Sequence, residues 1–213
     1  MALPDQPGLL IQALQQADSP DSLLEATEKL AAARHPEAVL ALVEVLGFNN
    51  PGAAVAAVDG LIALGPMAVA PLLANLDGHN YGARAWAVRA LAGIGDARGI
   101  GVLERALATD IGPSVRRAAA KGLGQLNLEG LTQPEQADLR RRCLEALLAA
   151  CSDSEWIVRY AVAVGLELLL GQPGVIEEER QRGLAGLAGL ASTAGEDTPV
   201  VQQRAQLALG RLG

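Results

Sequence analysis

Two short stretches, N-Y-G-A-R-A-W-A-V-R at 80–89 and E-W-I-V-R-Y at 155–160, set tyrosine and tryptophan beside arginine. The 213-residue chain has two Trp, two Tyr and one Phe, so these two places hold all of its Trp and Tyr. Aromatics and arginine are the residue types that protein surfaces concentrate where they bind something. Bond-making chemistry has less support. Histidine occurs only as His35 and His79, without the H-E or H-x-x-x-H spacing of a metal site. Cys143 and Cys151 form no metal or redox motif, and as isolated thiols they read as small hydrophobes of the interior. No Ser-His-Asp or Cys-His order can be picked out from spacing. The stretch G-I-G-D-A-R-G at 93–99 has the letters of a dinucleotide loop, but a helix precedes it and its third glycine comes one position late. It reads as a turn between helices. No catalytic residue and no metal ligand is assigned.

An internal repeat supplies the scaffold that positions these side chains. Leu30, Leu61, Leu91, Leu123, Leu166 and Leu209 align at spacings of 31, 30, 32, 43 and 43. Three residues on stand Ala33, Leu64, Ile94, Leu126, Leu169 and Leu212. One residue before stand Lys29, Gly60, Ala90, Gly122, Gly165 and Ala208, all small but the first, which lets neighbouring helices approach closely. Ten residues before stand Pro20, Pro51, Tyr81, Pro113, Trp156 and Pro199, and proline suits a first helical turn because its missing N–H is not needed there. Apolar residues recur at three- and four-residue steps over 115–126, and segments such as 36–46 and 97–107 supply a preceding helix. The expected fold is all-α: a right-handed α-solenoid of about five to six HEAT-like helix pairs, forming a single domain over 1–213. The insertion at 127–138, N-L-E-G-L-T-Q-P-E-Q-A-D, reads as a loop, with Pro134 opening the long helix after it, and G-Q-P-G at 171–174 reads as a second interruption.

Composition narrows the function. Half of the chain is hydrophobic and 2% is aromatic, so the core is built from Leu, Ala, Val and Ile, which suit closely packed helices. A net charge of −7 is the wrong sign for a nucleic-acid binder. No run of about 18 apolar residues is apparent to span a bilayer. The opening M-A-L-P-D-Q-P-G lacks the charged and apolar regions of a signal peptide. The expectation is a cytoplasmic protein with neither a nucleic-acid nor a membrane partner.

Within the repeat the arginines divide into two groups. Asp110 precedes Arg116 by six residues and Asp153 precedes Arg159 by six, while Asp77 precedes Arg84 by seven. In HEAT-like repeats an aspartate in the inter-helix turn pairs with an arginine early in the second helix, so these six residues read as a structural ladder. Arg89, Arg117, Lys121 and Tyr160 are placed differently. Tyr81, Ala85 and Arg89 share one helical stripe, off the core face of Ala83, Ala87, Leu91 and Ile94. Arg117 and Lys121 occupy the columns of Ala85 and Arg89 one repeat later, and Tyr160 takes the Arg117 column after that. These residues make either a polar-aromatic binding strip or a solvated face. Trp86 borders the core face, where packing is its default role.

The run N-Y-G-A-R-A-W-A-V-R-A-L-A-G-I-G-D-A-R-G, followed by D-I-G-P-S-V-R-R-A-A-A-K-G-L-G, resembles the E/F-type phycobilin lyases of cyanobacteria and red algae, and most of all their F-type subunits. The resemblance implies a heterodimer of E-type and F-type chains. Such a pair attaches phycocyanobilin, a substrate rather than a cofactor, to a cysteine of the phycocyanin α subunit through a thioether, and can also remove it. The nucleophile then belongs to the acceptor, and this chain needs none. Under this resemblance Tyr81, Trp86, Arg89, Arg117, Lys121, Trp156 and Tyr160 are the bilin-binding candidates. Arginine would grip a propionate, the rings would offer flat surface, and a carboxylate or tyrosine hydroxyl would manage protons. The isomerising relatives carry a histidine-cysteine element where this chain has His79, Asn80 and Tyr81, which favours attachment without isomerisation. The competing expectation is a non-catalytic scaffold that binds phycobilisome proteins.

Overall fold

The computed structural model describes residues 7–76 and 80–213, and these are helical throughout, with no strand among the described residues. The chain divides into two compact units, Met1–Ile94 and Gly95–Gly213. In the first, α1 (Pro7–Gln15) pairs with α2 (Pro20–Ala33), α3 (Ala38–Val45) with α4 (Pro51–Leu64), and α5 (Val69–Ala74) with α6 (Tyr81–Ile94). In the second, α7 (Ile100–Thr109) pairs with α8 (Pro113–Gly124), α9 (Gln133–Ala149) with α10 (Trp156–Leu170), and α11 (Glu177–Ala191) with α12 (Pro199–Leu212). Second helices stack on second helices: α4 lies against α2 and α6, and α10 against α8 and α12. This is the helix-pair solenoid that the leucine register implies. The column ten residues before each leucine, from Pro20 to Pro199, is the first residue of every second helix.

Burial follows the same register. Leu30, Leu61, Leu91, Leu123 and Leu166 are at most 1% exposed. The small residues before them carry the close approach. A Cβ on Gly60 would stand 2.7 Å from the Ala31 Cβ, and one on Gly165 would stand 2.5 Å from the Ala120 carbonyl oxygen. In α12 the register weakens: Val201, Ala205 and Ala208 are buried, while Leu209 is only half-buried.

Two expectations need correction. The stretch at 127–138 is loop only in its first half, and the helix that Pro134 was expected to open begins one residue earlier. Helix α9 starts at Gln133, because the Glu135 carboxylate accepts the Thr132 N–H at 2.8 Å and closes a capping box, leaving Pro134 at the second helical position. The remaining turn is pinned by the Asn127 N–H, which donates to the Gly95 carbonyl at 2.7 Å. Nor is the chain free of a long apolar helical stretch. The most apolar 18-residue window within Pro51–Ala74 has a mean hydropathy of 1.8, and the stretch is long enough to cross a bilayer. Gly65, at φ +67, and Pro66 break that stretch, and half of its most apolar window is buried within the protein. α4 is apolar nearly all round because it has helices on several sides, α2, α3 and α6.

The starts of the second helices are tied to the preceding or following repeat. In the first unit amides do this. Asn50 Oδ1 accepts the Ala53 N–H at 3.1 Å while its Nδ2 donates to the Pro20 carbonyl at 2.8 Å. Asn80 Oδ1 accepts the Ala83 N–H at 3.0 Å while its Nδ2 donates to the Gly47 carbonyl at 3.3 Å. In the second unit arginine and carboxylate replace the amide. Arg116 reaches Asp110 through its backbone carbonyl, Nη1 to O at 2.8 Å. The carboxylate it clamps is that of Asp153, one repeat on, at 2.7 and 2.9 Å. Arg159 repeats the pattern, with Nη1 on the Asp153 carbonyl at 2.7 Å and two donors on Glu196 at 2.5 and 2.7 Å. The ladder therefore links successive repeats through the carboxylate, and Glu196 is a member that the Asp-to-Arg spacing missed. Asp77, assigned to this ladder from sequence, lies outside the described residues.

Each of these acids also orders the turn that leads into the second helix of its repeat, by accepting the N–H of the residue just before that helix. Asp110 accepts the Gly112 N–H, Asp153 that of Glu155, and Glu196 that of Thr198, at 2.8, 2.9 and 2.8 Å. Glu196 is 4% exposed, and the Arg159 hydrogen bonds hold its carboxyl at about 2, against the pull of burial in the other direction. A carboxyl depressed in the folded state stabilises fully above its unfolded value near 4.5 and loses that contribution as pH falls toward 2. The melting temperature of the intact chain is therefore expected to fall as pH drops from 5 to 2, and to fall less steeply in Glu196→Gln, measured by circular dichroism. Arg159→Ala leaves Glu196 buried and unpaired and is expected to cost about 3 kcal/mol at neutral pH. Unchanged melting in both variants excludes the ladder as a significant source of stability.

Candidate functional site

Helix α6 carries the first candidate cluster. Its buried face is Ala87, Val88, Ala90, Leu91 and Ala92, which leaves Tyr81, Trp86 and Arg89 toward its outer side. Tyr81 opens the helix and is exposed, with the Arg84 guanidinium carbon 5.2 Å from its ring centre. Trp86 is half-buried, and the Arg89 guanidinium carbon sits 4.5 Å from its ring centre. Residues three apart on a helix are neighbours, so both contacts are cation–π pairs built within one turn. Packing alone does not describe Trp86: its half-buried ring also supports Arg89. Arg84 points nearer the buried face than Arg89 does, as Arg116 and Arg159 do in their own helices.

In the second unit Arg117 and Lys121 are one turn apart on α8, and both are exposed. On α10, Trp156 is exposed and Tyr160 half-buried, again one turn apart. Trp156 lies on the rim of a cleft of about 620 Å³ between the turns that open α10 and α12. Asp153, Arg159, Glu196 and Asp197 line that cleft with it. Arg159 is committed to the ladder, so its donors are spent on Glu196 and on backbone carbonyls. The seven candidates thus fall into two sets, Tyr81, Trp86 and Arg89 in one unit and Arg117, Lys121, Trp156 and Tyr160 in the other.

Neither cysteine is set up as a nucleophile. Cys143 is buried in α9, and burial pushes its thiol up to about 12; Cys151, in the turn after that helix, is pushed up by burial to about 11. The thiolate is the reactive form, so both are inert near neutral pH. Among the described residues no cluster of His, Cys, Asp and Glu could hold a metal ion. The candidate residues offer flat rings and cations, and none of them is an attacking thiol. In the folded chain neither thiol is expected to react with Ellman's reagent at pH 8, and both are expected to react once urea is added. Rapid reaction of Cys151 in the folded state overturns this assignment.

Comparison with known proteins bears on what such a surface binds. A family model for HEAT repeats matches residues 69–143. The chain is 55% identical over 163 residues to the phycocyanin alpha phycocyanobilin lyase CpcF of Synechocystis sp., covering 76% of each. It is 50% identical over 198 residues to the bilin biosynthesis protein RpcF of a Synechococcus species, covering 93% of this chain and 92% of that one. Among solved structures it is similar to the complex of CpcE and CpcF of phycocyanin lyase from Nostoc sp. PCC7120, with a TM-score of 0.72 at 43% identity over 82% of this chain and 99% of that one. Identity at this level over most of the length shows more than a shared solenoid, and the chain belongs to the E/F-type phycobilin lyase family, among its F-type subunits.

Proposed function

We propose that this chain is one subunit of a cytoplasmic phycocyanobilin lyase, which joins an E-type partner and attaches phycocyanobilin to a cysteine of the phycocyanin α subunit. The near-full-length likeness to bilin-attaching relatives carries this reading. The chemistry of the chain agrees with it. Adding a thiol across an ethylidene double bond makes one C–S bond and moves one proton from sulfur to carbon, and no atom is lost. The thiol comes from the acceptor, so the lyase needs no activated cysteine, and both of its own are held protonated by burial. What remains for the lyase is to hold a flexible tetrapyrrole in one conformation and to keep its reactive carbon available to the acceptor thiol. Rigid helices are suited to that, because side chains on them hold position better than side chains on loops. The reverse reaction, detachment, uses the same surface. Tyr81, Trp86 and Arg89 in the first unit, and Arg117, Lys121, Trp156 and Tyr160 in the second, are the bilin-binding candidates in this proposal, and no cofactor takes part.

Reconstitution tests the proposal. The chain co-expressed with an E-type subunit is expected to elute as one complex and to transfer phycocyanobilin covalently to the phycocyanin α subunit, read as zinc-enhanced fluorescence on a denaturing gel. Transfer is expected to persist in a Cys143→Ala, Cys151→Ala double variant. It is expected to fall at least about tenfold in Tyr81→Ala while complex formation is retained, a loss equal to one good contact. No attachment by the intact pair, or activity that depends on Cys151, sinks this reading.

A further inference from the structure

The arginines of this chain differ in what they hold. Arg116, Arg142, Arg159 and Arg204 are each partly buried, and each clamps a carboxylate on a neighbouring helix: Asp153, Glu104, Glu196 and Glu167. Arg140, the most buried, lies 3.7 Å from Glu179. Arg180 donates to the Leu212 carbonyl. Arg89 is half-buried as well, but among the described residues it has no hydrogen bond and no ion pair, and its contact is the face of Trp86.

Burying part of a guanidinium without an anion is unfavourable, and stacking on a ring returns only about 0.5–1 kcal/mol. Stacking engages the flat face of the guanidinium. It leaves the in-plane N–H groups at the edge, where they form the fork that fits a carboxylate. The Trp86 ring thus supports the Arg89 guanidinium at 4.5 Å, and no described residue of the chain supplies it with an anion. The anion is small and planar, since the fork selects geometry as well as charge. Helix position adds to this. Arg89 is two turns along α6 from Tyr81 and about 80° round from it, so an extended flat molecule lying along α6 would have Tyr81 near one end and the fork near the other.

Resting on the lyase reading above, we propose that Arg89 is the receptor for a propionate carboxylate of the bilin, and that Trp86 is a positioning residue that sets the plane of the Arg89 fork. Recognition is thus of the free acid, not only of the conjugated rings. Arg117 and Lys121 are exposed cations with no stacked ring, and they have no comparable preorganisation.

The test compares phycocyanobilin with its dimethyl ester, which has the same ring system and no carboxylate. Binding to the intact E-type/F-type complex is followed by the change in bilin absorption. The complex is expected to bind the acid at least about tenfold more tightly than the ester, the worth of one charge-assisted pair. In Arg89→Ala that preference collapses to near unity through loss of acid binding, while ester binding is unchanged. Arg89→Lys keeps the charge but not the fork and recovers part of the preference. Trp86→Leu loses most of it, and Trp86→Phe, which keeps an aromatic face, restores it. The readout is a ratio of two ligands, so a variant that merely folds poorly loses both and is recognised. A complex that attaches the ester as well as the acid, or an Arg89→Ala complex that retains the full preference, overturns the propionate receptor and leaves the lyase reading standing. Failure of the intact pair to attach either compound removes the lyase reading, while the binding ratio still reports on Arg89. Equal loss of acid preference in Trp86→Phe and Trp86→Leu removes the positioning role.

Discussion

Every second helix begins with backbone N–H groups that no residue of its own helix can satisfy. At α4 and α6 the structure meets this constraint with an amide, and ahead of α10 and α12 it orders the turn with a carboxylate; each of these side chains also reaches across to an adjacent repeat. Asn50 and Asn80 cap α4 and α6 and, through the other end of the same amide, hold carbonyls near the starts of the repeats before them. Asp153 and Glu196 accept the N–H of the residue just before α10 and α12 and, through the same carboxylate, hold an arginine of the repeat before. A solenoid has only nearest-neighbour contacts, so a helix start that fails locally also loosens one inter-repeat interface. The two units solve one problem with different chemistry. The amide version is neutral and insensitive to acid. The carboxylate version is stronger and titrates.

The scaffold was legible because its constraint is periodic. One leucine column, one small-residue column and one helix-start column are enough to place all six second helices, and the structure begins each of them at the residue the column names. Inter-repeat partners were not legible in the same way, because they were sought within a turn. Arg116 with Asp153, Arg159 with Glu196 and Arg182 with Glu145 are each 37 residues apart, and Arg142 with Glu104 is 38. That offset is as regular as the leucine register and could have been read from it. The capping box T-Q-P-E at 132–135 was also present as letters. That box starts the helix at Gln133, one residue ahead of the proline that marks it in the sequence.

The candidate site was less legible, for a physical reason. A binding residue and a solvated one occupy the same outward positions, and helical periodicity separates only inward from outward. Tyr81, Arg117 and Lys121 are exposed, as either reading requires. What separates them in the structure is company. Arg89 has a ring beneath it and, among the described residues, no acid paired with it, whereas Arg159 has Glu196, Asp197 and the Asp153 carbonyl as acceptors. Spacing could suggest the first of these, since Trp86 and Arg89 are three residues apart. It could not give the second, because that rests on where other helices bring their carboxylates.

The scarcity of aromatic residues now has a consistent account. Second helices that approach closely enough for Gly165 to meet the Ala120 backbone leave no room for rings between them. Large flat side chains are therefore confined to helix starts and outer faces, which is where Tyr81, Trp86, Trp156 and Tyr160 lie. The packing that makes the scaffold rigid thus also moves its rings to the surface, where a ring next to an arginine becomes a recognition element rather than core. A protein whose nucleophile is contributed by its acceptor can build its binding surface this way without an activated group of its own. Its two thiols, buried as small hydrophobes in and just after α9, remain part of the scaffold.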